Sequence, residues 1–149
     1  MLSKTEKENI RNEIQKEMDS LIHGCETLNM VLMFKVYSKS EDFYMIAGDG
    51  NAYSYQEFYN NNAGYLGMCN TFELETKKMD MNVLSADIVV VSWLYKAVAT
   101  FKNGNKDVIE NAGATFLFNK INGVWTVINY QESSLPPVTI TSEGSSDSV

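Results

Sequence analysis

Residues 86 to 101, Ala-Asp-Ile-Val-Val-Val-Ser-Trp-Leu-Tyr-Lys-Ala-Val-Ala-Thr-Phe, constrain the fold more than any other stretch of the chain. Ser92, Lys96 and Thr100 stand four apart, which suits a buried helix with one polar stripe, and they also share the single parity that a strand requires. The run Val89-Val90-Val91 and the other β-branched side chains favour the strand, because their stiff χ1 angles pack well on a pleated surface. The run Ile88 to Phe101 is too short to cross a bilayer and carries Lys96. Asn103-Gly104-Asn105 then reads as a hairpin turn, followed by a strand near Asp107 to Lys120. A second turn at Asn122-Gly123 leads to a strand from Val124 to Glu132. Upstream, Phe72 to Asn82 alternates loosely, also as a strand. Pro136-Pro137 ends the ladder because proline has no N–H to donate.

Helical signals are confined to the first half. Thr5 with Glu8 forms a capping box. Ile10, Ile14, Met18, Leu21 and Ile22 follow at helical spacing, to an end expected near His23-Gly24. A second helical segment is expected from about Glu26 to Tyr37, with a broad apolar face. Phe43 to Ala47 reads as a short strand and Gly48-Asp49-Gly50-Asn51 as a turn. Ser54 with Glu57 caps a third helix that carries Tyr55, Phe58, Tyr59 and Tyr65.

The class is therefore α+β, with helices first and a long antiparallel sheet after them. The 149 residues suit one domain over 1–137, and the Ser-, Gly- and acid-rich end, residues 138–149, is expected to be a disordered tail. The formal charge of −7 and the scattered lysines offer no basic stripe for nucleic acid. A polar N-terminus and the lack of a long apolar run lead us to expect no membrane contact and a cytoplasmic location. Cys25 and Cys69 form no CxxC, and with His23 as the single histidine neither a zinc site nor any other metal site is expected. No nucleotide-binding or cofactor-binding motif appears, so no cofactor is expected.

Three helical segments, a short strand between them, and four long strands joined by hairpins form a specific order. Phe43-Tyr44-Met45-Ile46, the Gly-Asp-Gly turn and Ser54-Tyr55-Gln56-Glu57-Phe58-Tyr59 resemble the β1–helix junction of nuclear-transport-factor-2-like (NTF2-like) domains. Asn122 to Ser134 is similar to the final strand of their SnoaL-like and ketosteroid-isomerase-like members, and of the association domain of calcium/calmodulin-dependent protein kinase II. The resemblance spans about residues 5 to 135. It implies a cone, in which N-terminal helices pack on a strongly curved antiparallel sheet around a cavity.

Many such domains carry two histidines, two apart, on the last strand. Here Asn129 and Gln131 stand in those places, and amides cannot act as general bases near neutral pH. Isomerase chemistry would need a tyrosine and a protonated acid beside a carboxylate base. The first helix has no tyrosine, the position nearest the acid is apolar (Ala114), and Asp49 fits its turn for conformational reasons alone. His23, with Asp19 one turn before it, suits the end of a helix. Glu73 and Glu75 share a strand face and read as a solvated edge.

Alternation puts Trp93, Tyr95, Ala97 and Phe101 on one side of their strand, and Ala114, Phe116 and Phe118 on one side of the next. Trp125, Val127, Asn129 and Gln131 share a side of the last. With these faces turned inward, Trp93, Tyr95, Phe116, Asn129 and Gln131 are the expected ligand-binding residues; alternatively, the aromatics are plain core. The opposite face, Val90, Leu94 and Val98 with Ser92 and Lys96, is too apolar for full exposure and is expected to pair two copies into a homodimer, unless the parity is inverted. Three functions stay open: binding of a small apolar or amphipathic molecule, an isomerase, dehydratase or cyclase acting on a carbonyl compound, and an interaction module with a filled core.

Overall fold

The computed structural model describes residues 1–142. Helix α1 (Lys4–Glu26) is followed by α2 (Met30–Phe34), the short strands β1 (Tyr44–Ile46) and β2 (Ala52–Tyr53), and α3 (Tyr55–Met68). Then come β3 (Cys69–Val83), β4 (Ile88–Phe101), β5 (Lys106–Ile121), β6 (Val124–Ser134) and β7 (Val138–Ile140). The seven strands make one sheet in the order β2-β1-β6-β5-β4-β3, with β7 added to β5. All pairings are antiparallel except β1 with β6, which is parallel.

Within residues 86–101 the expected strand forms over Ile88–Phe101, as β4, between β5 and the outermost strand β3. Both hairpin turns use positive φ, at Gly104 (89°) and at Asn122-Gly123 (52° and 78°), the second being the pair that a two-residue hairpin favours. Three departures from expectation have local causes. The N-cap of α1 is Ser3, not Thr5. Its hydroxyl accepts from the Glu6 amide at 3.1 Å and its own amide donates to Glu6 Oε2 at 2.7 Å, so an earlier capping box takes over. The helix also runs through His23-Gly24 to Glu26, and α2 shrinks to five residues. Gly24 falls inside the last turn of α1, where α2 packs close: a Cβ on it would sit 2.5 Å from the Met33 amide nitrogen. Finally, residues 138–140, expected in the tail, form β7 on the Lys106–Val108 edge of β5, since Pro136-Pro137 stops β6 without preventing a return. The rest of the expected tail, from 143 on, lies outside the described residues.

Beyond an irregular start of β3, the ladders break register at three interior places. Lys77 is an extra residue in β3, residues 110–111 face one residue of β4, and Ile128 is an extra residue in β6. Bulges of this kind bend and twist a sheet, and each inserted residue switches the faces of all that follow. In β3 the inward set changes from Phe72 and Leu74 to Met79 and Met81, which accounts for the loose alternation of the sequence there. Lys77 itself points outward and spans β4: its ammonium bonds the Glu110 carbonyl and, at 2.9 Å, Asn111 Oδ1, so two of the bulges are tied together.

The inner face of the sheet carries Val89, Val91, Phe116, Phe118 and Val127, all fully buried. Against it α1 sets Ile14, Met18 and Leu21, spaced for one helical stripe. Burial stabilises by about 1.5–3 kcal/mol for each such large side chain. At one end Glu13 of α1 accepts from Trp125 Nε1 at 2.6 Å and pairs with Lys120 at 3.4 Å. The other end of the inner face is less completely filled.

Candidate functional site

A cavity of about 180 Å3 lies between the helices and the inner face of the sheet, among Tyr37, Phe58, Trp93, Tyr95, Tyr130 and Glu132. Larger grooves exist on the surface, such as one of about 490 Å3 beside Lys35, Lys39 and Tyr59, but they open broadly to solvent. This space is less open to solvent than the grooves and is the better candidate, because a ligand there loses more of its contact with water.

Each wall has a clear origin. Trp93 and Tyr95 stand two apart on β4 and stack at 4.0 Å between ring centroids. The Trp93 indole N–H donates to Thr76 Oγ1 at 2.9 Å, so that ring is fixed in place. Tyr37 follows α2 and packs edge-on to Phe58 and Tyr130, at 5.0 and 5.6 Å. Cys25 of α1 also reaches the cavity. Among the lining residues there is no lysine, arginine or histidine.

The polar centre is a pair on β6. Tyr130 donates its hydroxyl hydrogen to Glu132 Oε1 at 2.6 Å, within the range of a charge-assisted bond. Burial raises the Glu132 carboxyl above its ordinary value, although the side chain keeps some exposure; the Tyr130 bond opposes the rise, and Asp49 in the β1–β2 turn adds to it. Burial, reinforced by Glu132, also raises the phenols of Tyr95 and Tyr130. The Tyr37 phenol rises by burial first, with Cys25 and Glu132 adding. The Cys25 thiol is pushed up to about 12, by burial and then by Glu132 and Glu26, so near neutral pH it is a thiol and a poor nucleophile. Both cysteines are free.

The expected ligand residues separate into two groups. Trp93 and Tyr95 line the cavity. Phe116 lies behind the wall, fully buried, with its ring 4.6 Å from Tyr130. Asn129 and Gln131 do not line the cavity. The extra residue Ile128 turns them to the opposite face, where Asn129 Nδ2 meets the Tyr44 carbonyl at 3.5 Å and Gln131 is exposed. Tyr130 and Glu132 take the inward places, opposite Phe116 and Ala114. The sequence carries one trace of this shift: Val127 and Ile128 are adjacent apolar residues, and the next aromatic, Tyr130, falls three after Val127 instead of two.

Other candidates lie elsewhere. His23 is exposed, and Asp19 accepts from Gln15 at 2.8 Å. Asp49 accepts from the Asn51 amide at 2.9 Å and from the Tyr53 hydroxyl at 3.2 Å, as a turn aspartate does. Among the described residues no group of histidine, cysteine and carboxylate side chains could hold a metal ion. No described helix is long and apolar enough to cross a membrane.

No family model matches the sequence, and no curated protein matches it either. Solved structures do match in shape. A hexachlorocyclohexane dehydrochlorinase from Novosphingobium barchaimii aligns with a TM-score of 0.74 at 14% identity, over 93% of this chain and 94% of that one. A candidate scytalone dehydratase from Novosphingobium aromaticivorans aligns at 0.80 with 7% identity, over 91% of each chain. An NTF2-like superfamily protein from Salmonella enterica aligns at 0.76 with 14% identity, over 86% of this chain and 92% of that one. At such identities it is the backbone that is shared, helices and curved sheet alike, and this chain has the NTF2-like fold.

Proposed function

We propose that this protein binds a small, mainly apolar molecule in the cone cavity, held between aromatic rings and by one polar contact to the Tyr130–Glu132 pair. The observation that carries this reading is the carboxyl group bonded to a phenol inside a wall that is otherwise aromatic and aliphatic apart from Cys25 and Asn62. The volume equals roughly six waters at ~30 Å3 each, so the ligand is smaller than a drug-sized molecule. Trp93 reports on occupancy directly. In a Trp125→Phe variant its emission is expected to change when single-ring alcohols, ketones and amines are titrated in. Unchanged emission together with an unchanged melting temperature across the series would refute ligand binding and favour a core filled by its own side chains.

A second reading has its own support. Two of the solved neighbours are named for eliminations, a dehydrochlorinase and a candidate dehydratase. Glu132 is the one carboxyl in the cavity lining, and the rise of its titration by burial makes it a stronger proton acceptor than an ordinary carboxylate. An enzyme acting on a carbonyl compound would exchange the hydrogens beside that carbonyl with deuterated solvent, and the exchange would vanish in Glu132→Gln. Exchange that survives the substitution removes Glu132 from the chemistry.

We also infer that two copies pair through the outer sheet face, where Leu94 is 50% exposed and Val90, Val98 and Leu117 are half-buried around it. Leu94 packs over Gly113, whose missing side chain leaves that face flat. Sedimentation should give a dimer, and Leu94→Lys a monomer. A wild-type monomer at the highest soluble concentration ends this inference.

A further inference from the structure

The cavity's wall indicates which chemical class its polar contact serves. Among the described residues Glu132 has no cationic partner, and the three ion pairs found among them all lie elsewhere. The titratable groups that face it are Tyr130 on its own strand, Tyr95 on β4, Tyr37 after α2, Cys25 on α1 and Asp49 in the β1–β2 turn. All of these are neutral or negative. Asn62 spends one of its two side-chain N–H groups on the Phe58 carbonyl at 3.0 Å, which leaves the other N–H and its acceptor oxygen beside the cavity, without charge of either sign. Rings dominate the remainder of the wall: Phe58, Tyr65, Trp93, Tyr95 and Tyr130 among them. An aromatic wall is electron-rich at its ring faces and attracts cations.

We propose, resting on the cavity-binding reading above, that the ligand is a small organic cation, an amine in its ammonium form or a methylated ammonium, with Glu132 as counter-ion and the aromatic wall as cage. The composition of the wall and the charge of the whole chain both agree with this. The wall holds a carboxylate without a counter-charge, it has no basic residue that would repel a cation or attract an anion, and the chain as a whole carries a formal charge of −7. An anionic ligand would meet Glu132 with like charge and find nothing to neutralise it. A neutral ligand would leave the carboxylate with the Tyr130 hydroxyl but no counter-charge, or require it protonated. A quaternary ammonium group is weakly hydrated, so its transfer into an aromatic cage forfeits little water binding. The enclosed volume of about 180 Å3 suits a molecule of that size.

The test compares choline with 3,3-dimethyl-1-butanol, its neutral isostere, by calorimetric titration of the wild-type protein and of Glu132→Gln at several pH values. Choline should bind about tenfold or more tightly than the isostere, the affinity equivalent of a desolvated cation–ring contact. Its affinity should be highest at alkaline pH and fall as pH drops through the Glu132 titration, since only the carboxylate supplies the counter-charge. Glu132→Gln should remove most of the preference and leave the isostere nearly unchanged. Because the pH dependence is read on the wild-type protein, a poorly folding variant would not obscure the result. Equal affinities for the two probes overturn the cation assignment and leave the cavity reading standing. Affinity for the neutral probe that rises towards low pH overturns it in favour of a protonated Glu132 serving a neutral acceptor. If neither probe binds and the neutral ring compounds also fail, both readings fall.

Discussion

Replacing Tyr130 by phenylalanine keeps the ring that packs on Phe116 and Phe58 and deletes one hydroxyl, so its effect passes through the groups that hydroxyl meets, Glu132 first and Tyr95 beside it. A hydrogen bond to a charged group contributes about 1.5–3 kcal/mol, against 0.5–1.5 for a neutral one. At 2.6 Å this bond belongs at the stronger end while the carboxyl is ionised. We therefore expect Tyr130→Phe to destabilise by about 2 kcal/mol at alkaline pH, a fall of roughly 4–8 °C in melting temperature for a domain of this size. The loss should be smaller in acid, where Glu132 is neutral and accepts a weaker bond. The same substitution should raise the Glu132 titration further, because the Tyr130 bond is what holds it down. Urea denaturation at both ends of the pH range, with carboxyl-carbon NMR of Glu132, reads the two effects together. A double-mutant cycle with Glu132→Gln separates the bond from side effects, with a coupling of about 0.5–3 kcal/mol expected. A coupling indistinguishable from zero, or a Glu132 titration that moves downward, would refute the assignment of the pair as the polar centre.

Glu132→Gln should itself show a pH-dependent gain in stability. A carboxyl raised by burial binds its proton more tightly when folded than unfolded, so wild-type stability falls as pH rises from the unfolded value to the folded one; the difference between variant and wild type, measured by thermal melts, should grow over that interval and then level off. Cys25, with its thiol pushed up to about 12, should resist iodoacetamide in the folded protein at mildly alkaline pH and react fully once urea unfolds it, a contrast mass spectrometry reads directly. Gly24→Ala should destabilise by more than 1 kcal/mol in urea titration, despite alanine's better helix propensity, because its methyl would meet the α2 backbone at 2.5 Å; a variant as stable as wild type would mean that the two helices separate easily.

The architecture was legible because its signals are redundant. Residues 86–101 carry β-branched side chains and are followed by an Asn-Gly-Asn turn, and Asn122-Gly123 sits where a tight hairpin must turn. Either signal alone would be weak, whereas together they fix strand, turn and direction. The inward face of β4 was readable for the same reason, since its apolar parity runs unbroken from Val89 to Phe101. The site on β6 was not readable, because it depends on a single inserted residue. Strict alternation carries Trp125 and Val127 on to Asn129 and Gln131; with Ile128 extra, the same strand presents Tyr130 and Glu132. Sequence reading places the cap of helix α1 at Thr5 with Glu8 and misses the box two residues earlier, Ser3 with Glu6, which is the one that caps the helix. Gly24 resembled a helix terminator and proved to be a crossing point, a role set by α2 and invisible in the local sequence.

The outermost strand, β3, has one side bonded to β4 and the other unoccupied over fifteen residues, a length at which a bare edge would recruit further strands. Glu73, Glu75, Lys78 and Asp80 place charge of both signs along it, and Lys77 interrupts its pleat partway. An incoming strand would have to desolvate those charges and match a ladder whose spacing changes at the interruption. The sheet therefore stops growing at this margin. A protein that must hold a long curved sheet open around a cavity thus carries its protection against fibre formation in the same irregularity that gives the sheet its bend.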